Sequence, residues 1–218
     1  MSIADYGTLR SAVLSYAARS DSVFTAMFPT FVALTEARLY DGAGKVGDDV
    51  YSPPLRSRAM EVSTTITITN GVGTWPENVL AVRKLFRDGD TEGLSYMPPE
   101  RLAIELERYP STGFPLYFTT QGSTLAVAPS TDTTLTLDYY GKYPAVTDTN
   151  TAGPLIVAHG LIYLELCLFE AFAWMQEVEL AVQHLAKGRS MIEGANGRAM
   201  TARMPGPMRV RPRRVIGA

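Results

Sequence analysis

The sequence predicts an α+β protein with a helical bundle body, an inserted β-rich domain and an extended C-terminal arm. Apolar residues recur every three to four positions in the first 42 residues and again between residues 153 and 200, which is the period of an amphipathic helix. Between these regions, β-branched residues alternate with polar ones in short runs separated by glycine-rich turns, a pattern typical of strands. The last 15 residues contain three prolines and no apolar period, which favours an extended arm.

These changes of pattern give the expected domain boundaries. The chain has 218 residues, of which 46% are hydrophobic, so it is long enough and apolar enough for a substantial core. We place the N-terminal helices of the body at 1–56, the inserted β-rich domain at 57–145, a C-terminal helical hairpin of the body at 146–203 and the basic arm at 204–218.

The first region is expected to hold two helices. Asp5 can cap a helix over residues 4–19, with apolar residues on one face. A second helix is predicted to begin after Phe28, because Pro29 suits a first turn, and to end at the glycines that follow Asp41. Glu36 and Arg38 are expected to face solvent or a neighbour.

The middle region is expected to hold five or six strands and one short helix. Glycine-rich turns separate the alternating runs, and Val82 and Leu85 are expected to point inward from the second of them. The helix begins at Pro98-Pro99. The predicted strands cover residues 62–69, 79–87, 94–97, 117–120, 124–128 and 134–140.

Two long helices are predicted near the C-terminus, at 153–174 and 176–200. Val178, Val182, Leu185 and Ile192 are expected to form the apolar face of the second helix, and the short connection favours an antiparallel hairpin.

The stretch 155–175 is long enough to span a bilayer, but it contains His159, Glu165 and Glu170. An acidic residue at the centre of a bilayer costs roughly 2.5–3.5 kcal/mol. The N-terminus has no basic region followed by an apolar run, so we expect no secretory signal and no membrane partner.

Charge is distributed unevenly along the chain, although the total is only −2. From Lys187 onward, eight basic residues stand against one acid, a net charge of +7. The preceding residues contain 12 basic and 21 acidic side chains, a net charge of −9. Such asymmetry indicates a basic arm that seeks an acidic surface or a nucleic acid.

No residue pattern identifies a catalytic, metal or cofactor site. Cys167 is the only cysteine, and His159 would lie about 12 Å from it along a helix, too far to share a proton. The Asp88–Asp90–Glu92 cluster lacks the glycine and distal glutamate of a calcium loop. Phosphate-binding loops and nucleophile elbows are absent from the sequence. The sequence therefore predicts a protein that is not an enzyme and has no cofactor.

The arm contains the strongest functional signal. Its arginines, separated by apolar residues and proline, admit two interpretations: a nucleic-acid-binding tail, or an extended peptide that docks on a protein partner. The terminal Val215 and Ile216 favour docking. The candidate docking residues are Met208, Arg209, Val210, Arg211, Pro212, Arg213, Arg214, Val215 and Ile216.

The order of the segments resembles the head-to-tail adaptor proteins of tailed bacteriophages. The paired N-terminal helices, the Trp-Pro-Glu-Asn-Val-Leu strand entry, the Gly-Phe-Pro-Leu-Tyr-Phe hairpin, the closing strands, the paired C-terminal helices and the Met-Arg-Val-Arg ending are similar to that family. They lie at 6–18, 24–42, 74–83, 113–118, 125–129, 135–140, 153–200 and 208–211.

This resemblance implies a structural virion protein in the neck of the particle, assembled in the host cytoplasm. It implies a homo-oligomeric ring of twelve copies below the portal protein, joined to the nozzle or tube proteins of the tail. Genomic DNA would pass through the channel of the ring, and residues 208–216 would dock on the portal. A nucleic-acid-binding protein that uses the basic arm remains the alternative.

Overall fold

The computed structural model describes residues 2–43, 52–87, 89–90, 92–108 and 113–202. In these residues it shows five α-helices, one 3-10 helix at Arg58–Met60 and seven strands, which confirms the mixed α+β class. The helices are α1 (Tyr6–Tyr16), α2 (Ser22–Asp41), α3 (Pro99–Arg108), α4 (Pro154–Trp174) and α5 (Val178–Thr201). The strands are β1 (Glu61–Ile68), β2 (Val72–Thr74), β3 (Val79–Arg87), β4 (Ser95–Tyr96), β5 (Tyr117–Gln121), β6 (Thr124–Ala128) and β7 (Thr133–Gly141).

The chain divides into two compact units. The helical unit comprises Met1–Arg58, Ala145–Ala152 and Ile156–Ala218, and the β unit comprises Ala59–Pro144 and Gly153–Leu155. The helical unit contains α1, α2, α5 and nearly all of α4, whereas the β unit contains every strand and α3.

Side-chain caps define where the first two helices begin. The Asp5 carboxylate accepts a hydrogen bond from the Thr8 backbone N–H at 2.7 Å, as a capping box requires. Asp21 caps α2 by accepting from the Phe24 N–H at 3.0 Å. The prediction that the second helix begins after Phe28 is therefore wrong, and Pro29 lies inside α2. Pro29 is exposed, so water can reach the carbonyl that loses its amide partner there.

The core of the helical unit is rich in aromatic side chains. Phe24, Phe28 and Phe31 are fully buried on one face of α2. Tyr6 of α1 meets Phe28 edge to face, with ring centroids 5.0 Å apart. Such pairs add directional contacts to the burial of apolar area, and together they fix how α1 lies on α2.

Helices α4 and α5 run antiparallel in the helical unit. Phe172, near the end of α4, stacks on His184, near the start of α5, with ring centroids 5.2 Å apart. Leu166 lies earlier in α4, and it contacts Gly188, which lies later in α5. A Cβ on Gly188 would lie 2.7 Å from Leu166 Cδ2, so the absence of a side chain allows close approach.

The predicted apolar face of the last helix is partly wrong. Ile192 is buried and Leu185 is half-buried, but Val178 and Val182 are exposed. The prediction relied on the large apolar residues, whereas the buried face consists mainly of small ones. The buried residues are Ala181, Gly188, Ile192, Ala195 and Ala199.

The β unit contains two antiparallel-rich sheets around one core. One sheet has the strand order β1-β7-β3, and the other has the order β2-β6-β5-β4, in which only the β4–β5 pair is parallel. The two-residue β4 and three-residue β2 form the edges of the second sheet. The shared core consists of buried side chains from both sheets: Ile66, Ile68, Leu85, Phe118, Leu125, Val127, Leu135, Leu137 and Tyr139.

Strand β3 departs from simple alternation. Its register with β7 shifts between Val79 and Ala81 and again between Val82 and Lys84. A bulge reverses the direction in which later side chains point. The extra residue places Val82 opposite Tyr139 and Leu85 opposite Leu137, on the same face of the sheet. Only Leu85 is buried there, whereas Val82 is 42% exposed, so the prediction that both point inward is matched by burial only at Leu85.

Helix α4 is the one described helix that is long and apolar enough to cross a membrane. Of its most apolar window, 61% is buried inside the protein, as in the core helix of a folded domain.

Candidate functional site

The predicted docking residues Met208–Ile216 lie outside the described residues, which end at Ala202. The structure therefore brings none of them to a site. The structure does show the surroundings of the polar and ionisable side chains in the described residues, and it shows which surfaces each of the two units exposes.

The Cys167 thiol belongs to the core. The side chain is completely buried, and Sγ lies 3.3 Å from Thr35 Oγ1. Burial raises the pKa of Cys167 to about 12, so the nucleophilic thiolate is scarcely populated at neutral pH. A role for this cysteine as a nucleophile has no support in its surroundings.

Glu36, which the sequence interpretation placed facing solvent or a neighbour, is a buried carboxylate, so the expectation of a solvent-facing side chain is wrong. It is 6% exposed, and Oε1 accepts hydrogen bonds from the Val146 N–H at 3.0 Å and the Tyr163 hydroxyl at 3.2 Å. Burial and the adjacent Glu36 carboxylate raise the pKa of Tyr163, so its hydroxyl remains protonated and donates. Glu36 stands four residues after Val32 and three before Leu39, a spacing that could have placed it on the buried face.

Two further polar pairs join helices within the helical unit. Arg38 of α2 contacts Glu170 of α4 at 3.1 Å, and its guanidinium lies over the Phe169 ring. His184 of α5 lies 2.7 Å from Glu165 of α4. Since the side chains are only 11–19% exposed, these contacts specify helix pairing in a low-dielectric environment. They are structural pairs that join α4 to α2 and to α5.

Helix α4 is interrupted at His159, whose φ and ψ of −133° and 33° are not helical. Beside this break lies a cleft of about 570 Å³, which also has walls from α5 and from Ser2 and Ile3. Burial and the nearby Arg198 lower the pKa of His159, so the imidazole is predominantly neutral at neutral pH. Among the described residues, no group of three or more potential metal ligands is present here or elsewhere.

One end of the helical unit exposes several large apolar side chains. The α1–α2 and α4–α5 turns lie together there, because Arg19 covers the Phe24 ring at 5.7 Å and the Trp174 ring at 5.3 Å. Around them Tyr16, Val23 and Val178 are each at least 60% exposed. A cluster of this kind is typical of a surface that another protein covers.

The β unit exposes a second apolar group. Phe114 and Leu116 are 66% and 60% exposed, and the Arg87 guanidinium lies 3.7 Å from the centre of the Phe114 ring. Tyr96, on the short edge strand β4, is also exposed and lies near Leu116, whose carbonyl accepts a hydrogen bond from the Ser95 N–H. Aromatic residues beside an arginine are enriched at the centres of protein interfaces.

Comparison with known proteins identifies the family of the chain. A family model described as SU10 adaptor protein matches residues 4–211, which is nearly the whole chain and includes both units. No curated protein matches the sequence. The family name describes a phage adaptor, a structural component of the virion that contacts other phage structural proteins. On the extent of this match, the chain belongs to the SU10 adaptor protein family.

Proposed function

We propose that this protein is the subunit of a head-to-tail adaptor ring that joins the portal to the tail and forms part of the DNA channel. The match to the adaptor family over residues 4–211 carries the proposal. In the proposed assembly, twelve copies form a ring in the neck of the virion. The basic arm docks on the portal protein, and the opposite face of the ring binds the nozzle or tube proteins of the tail. Assembly takes place in the host cytoplasm.

The exposed apolar groups support an assembly role. A subunit that buries its sides against two neighbours needs large apolar side chains at its surface, and both units provide them. The net charge of −9 before Lys187 also suits a channel for DNA, because a negative wall repels the phosphate backbone and limits adhesion.

The basic arm supports portal docking through residues 208–216. An extended segment forms backbone hydrogen bonds with a partner while alternate side chains enter pockets, and Val210, Val215 and Ile216 supply apolar anchors. Ordering such a segment costs conformational entropy that the contacts of the arm must exceed, and truncation should abolish portal binding because it removes those contacts.

The test measures the mass of the full chain with and without purified portal rings, alongside a truncation after Pro205. The full chain should join the portal in a fixed stoichiometry of one ring, and the truncated chain should not. A paired variant, R213A with R214A, should weaken portal binding. The matched control R10A with R101A changes one exposed arginine in α1 and one in α3 and should not weaken it.

Failure of the full chain to bind portal would contradict the proposal. If the full chain instead bound duplex DNA with an affinity that fell steeply with salt, the nucleic-acid-binding alternative would replace it.

A further inference from the structure

The cleft beside the break in α4 has the chemistry of a peptide-binding groove for an acidic segment. On its apolar side, Val157 and Leu161, which stand before and after the break at His159, are 60% and 57% exposed. Arg198 of α5 lines the other side. Across the part of the chain that the structure describes, no carboxylate lies within ion-pair distance of Arg198. No acidic residue lines the cleft, so an incoming carboxylate would meet attraction without competition.

The shape of this cleft is fixed by backbone contacts. A Cβ on Gly160 would lie 2.0 Å from the Ile3 carbonyl oxygen, so the N-terminal segment passes directly over the helix at the break. The Tyr6 N–H donates to the Thr151 carbonyl at 2.7 Å and holds that segment in place. A groove whose walls are held in this way loses little entropy when a peptide binds.

One segment of the chain outside the described residues matches this chemistry. Residues 44–51 read Gly-Lys-Val-Gly-Asp-Asp-Val-Tyr, so two adjacent carboxylates precede two apolar side chains. The charge of Asp48 and Asp49 is complementary to that of Arg198, and Val50 and Tyr51 are apolar like Val157 and Leu161.

The base of that segment lies on the side of α5 opposite the cleft. Ala43 and Ser52, which flank the segment, are joined by backbone hydrogen bonds of 2.9 and 3.2 Å. Close by, Asn196 of α5 donates to the Pro54 carbonyl at 2.9 Å and accepts from the Arg56 N–H at 2.7 Å. Arg198 follows Asn196 by two residues, which is about 200° around the helix.

Chain length argues against binding within one subunit. Because both ends of the segment are held together, it extends by at most half of its residues, roughly 14 Å at full extension. A helix with its side chains is about 11 Å across, so the path around half of α5 is roughly 17 Å. If a neighbouring subunit packs against the Asn196 side, the segment can reach the cleft of that neighbour without passing around α5. Two complementary patches on opposite sides of one subunit are what a head-to-tail ring contact requires.

We propose that residues 48–51 of one subunit dock in the Arg198 cleft of the next subunit and close the ring laterally. This inference rests on the proposed function, since it names the contact by which neighbouring copies join. Asp48 and Asp49 supply the charge that selects Arg198, and Val50 and Tyr51 bury apolar area on Val157 and Leu161.

Charge reversal tests the pairing. We expect R198E, and separately D48R with D49R, to reduce the apparent affinity for ring formation on the portal at least tenfold. Combining the three changes should restore it within about threefold, because the reversed charges attract again. The control R10E reverses an exposed arginine of α1 and should assemble like the unchanged protein. Assembly of R198E at the level of R10E, or failure of the combined variant to recover, would overturn the pairing.

A disulfide trap locates the contact directly. The variant V50C with L161C leaves the buried Cys167 as a silent thiol, and oxidation of assembled rings should give covalent oligomers on a denaturing gel. Monomers that contain an internal crosslink, or monomers with no crosslink, would overturn the intersubunit contact while portal binding by the full chain still upheld the proposed function. If the unchanged protein formed no ring at all, the proposed function would fail and this contact with it.

Discussion

Removing the buried carboxylate of Glu36 is expected to destabilise the helical unit severely. In E36A, the Val146 N–H and the Tyr163 hydroxyl lose the acceptor that they now reach at 3.0 and 3.2 Å. Each buried donor left unpaired costs about 1–3 kcal/mol, and the shortened side chain leaves a small cavity. We expect a loss of about 3–5 kcal/mol, a large fraction of the stability of an ordinary domain.

Two companion variants separate the hydrogen bonds from the volume. E36Q preserves the size of the side chain and one acceptor oxygen, so it should cost about half as much as E36A. Y163F removes a single donor and should cost about 1 kcal/mol. In the double variant E36A with Y163F, the loss should be smaller than the sum of the single losses, because the hydroxyl that E36A leaves unpaired is then absent.

Urea unfolding measures these losses, and the two tryptophans separate the units. Trp75 belongs to the β unit and Trp174 to the helical unit, so a W75F background makes fluorescence report the helical unit alone. A loss below about 1 kcal/mol for E36A, or equal losses for E36A and E36Q, would refute the assigned network.

Three further outcomes follow from the contacts. G160A should lower the free energy of unfolding by about 1–3 kcal/mol in the same assay, because its Cβ would meet the Ile3 backbone. In G197A no atom lies within 4 Å of the new Cβ, so the variant should gain about 0.5–1 kcal/mol of stability from helix propensity. Equal effects of the two changes would contradict the contact between Gly160 and Ile3. Cys167 should resist iodoacetamide at pH 8 in the native protein and react once urea unfolds it, as mass spectrometry would show; rapid native labelling would refute its burial. The hydrogen bond from the Thr8 N–H lowers the pKa of Asp5 in the folded protein. The stability that the Asp5 cap contributes is therefore present at neutral pH and is lost as the pH falls through this lowered pKa. D5N should flatten the dependence of the free energy of unfolding on pH between about pH 5 and 2, and an unchanged slope would disprove the role of the Asp5 carboxylate.

The existence and type of most elements could be predicted from local chemistry. Asp5 followed by apolar residues at helical spacing specifies α1, and the alternation of threonine with isoleucine before Asn70-Gly71 specifies β1 and its turn. These signals depend on residues within one or two turns of each other. Pro29 misled the prediction because the cap that starts α2 lies eight residues earlier, at Asp21.

By itself, the sequence determined the mixed α+β class, the absence of recognisable catalytic motifs, the isolated cysteine and the contrast in charge between the residues before Lys187 and those from Lys187 onward. Only the tertiary structure decided which polar groups are buried and which apolar groups remain exposed. Glu36 is internal because Tyr163, distant in sequence, supplies a donor, and Val178 is exposed because the smaller residues of α5 form its buried face. The cleft at Arg198 likewise requires the N-terminal segment to cross α4 at Gly160, a contact between residues more than 150 positions apart. Local patterns encode periodicity, whereas burial and pairing depend on partners that the fold alone brings together.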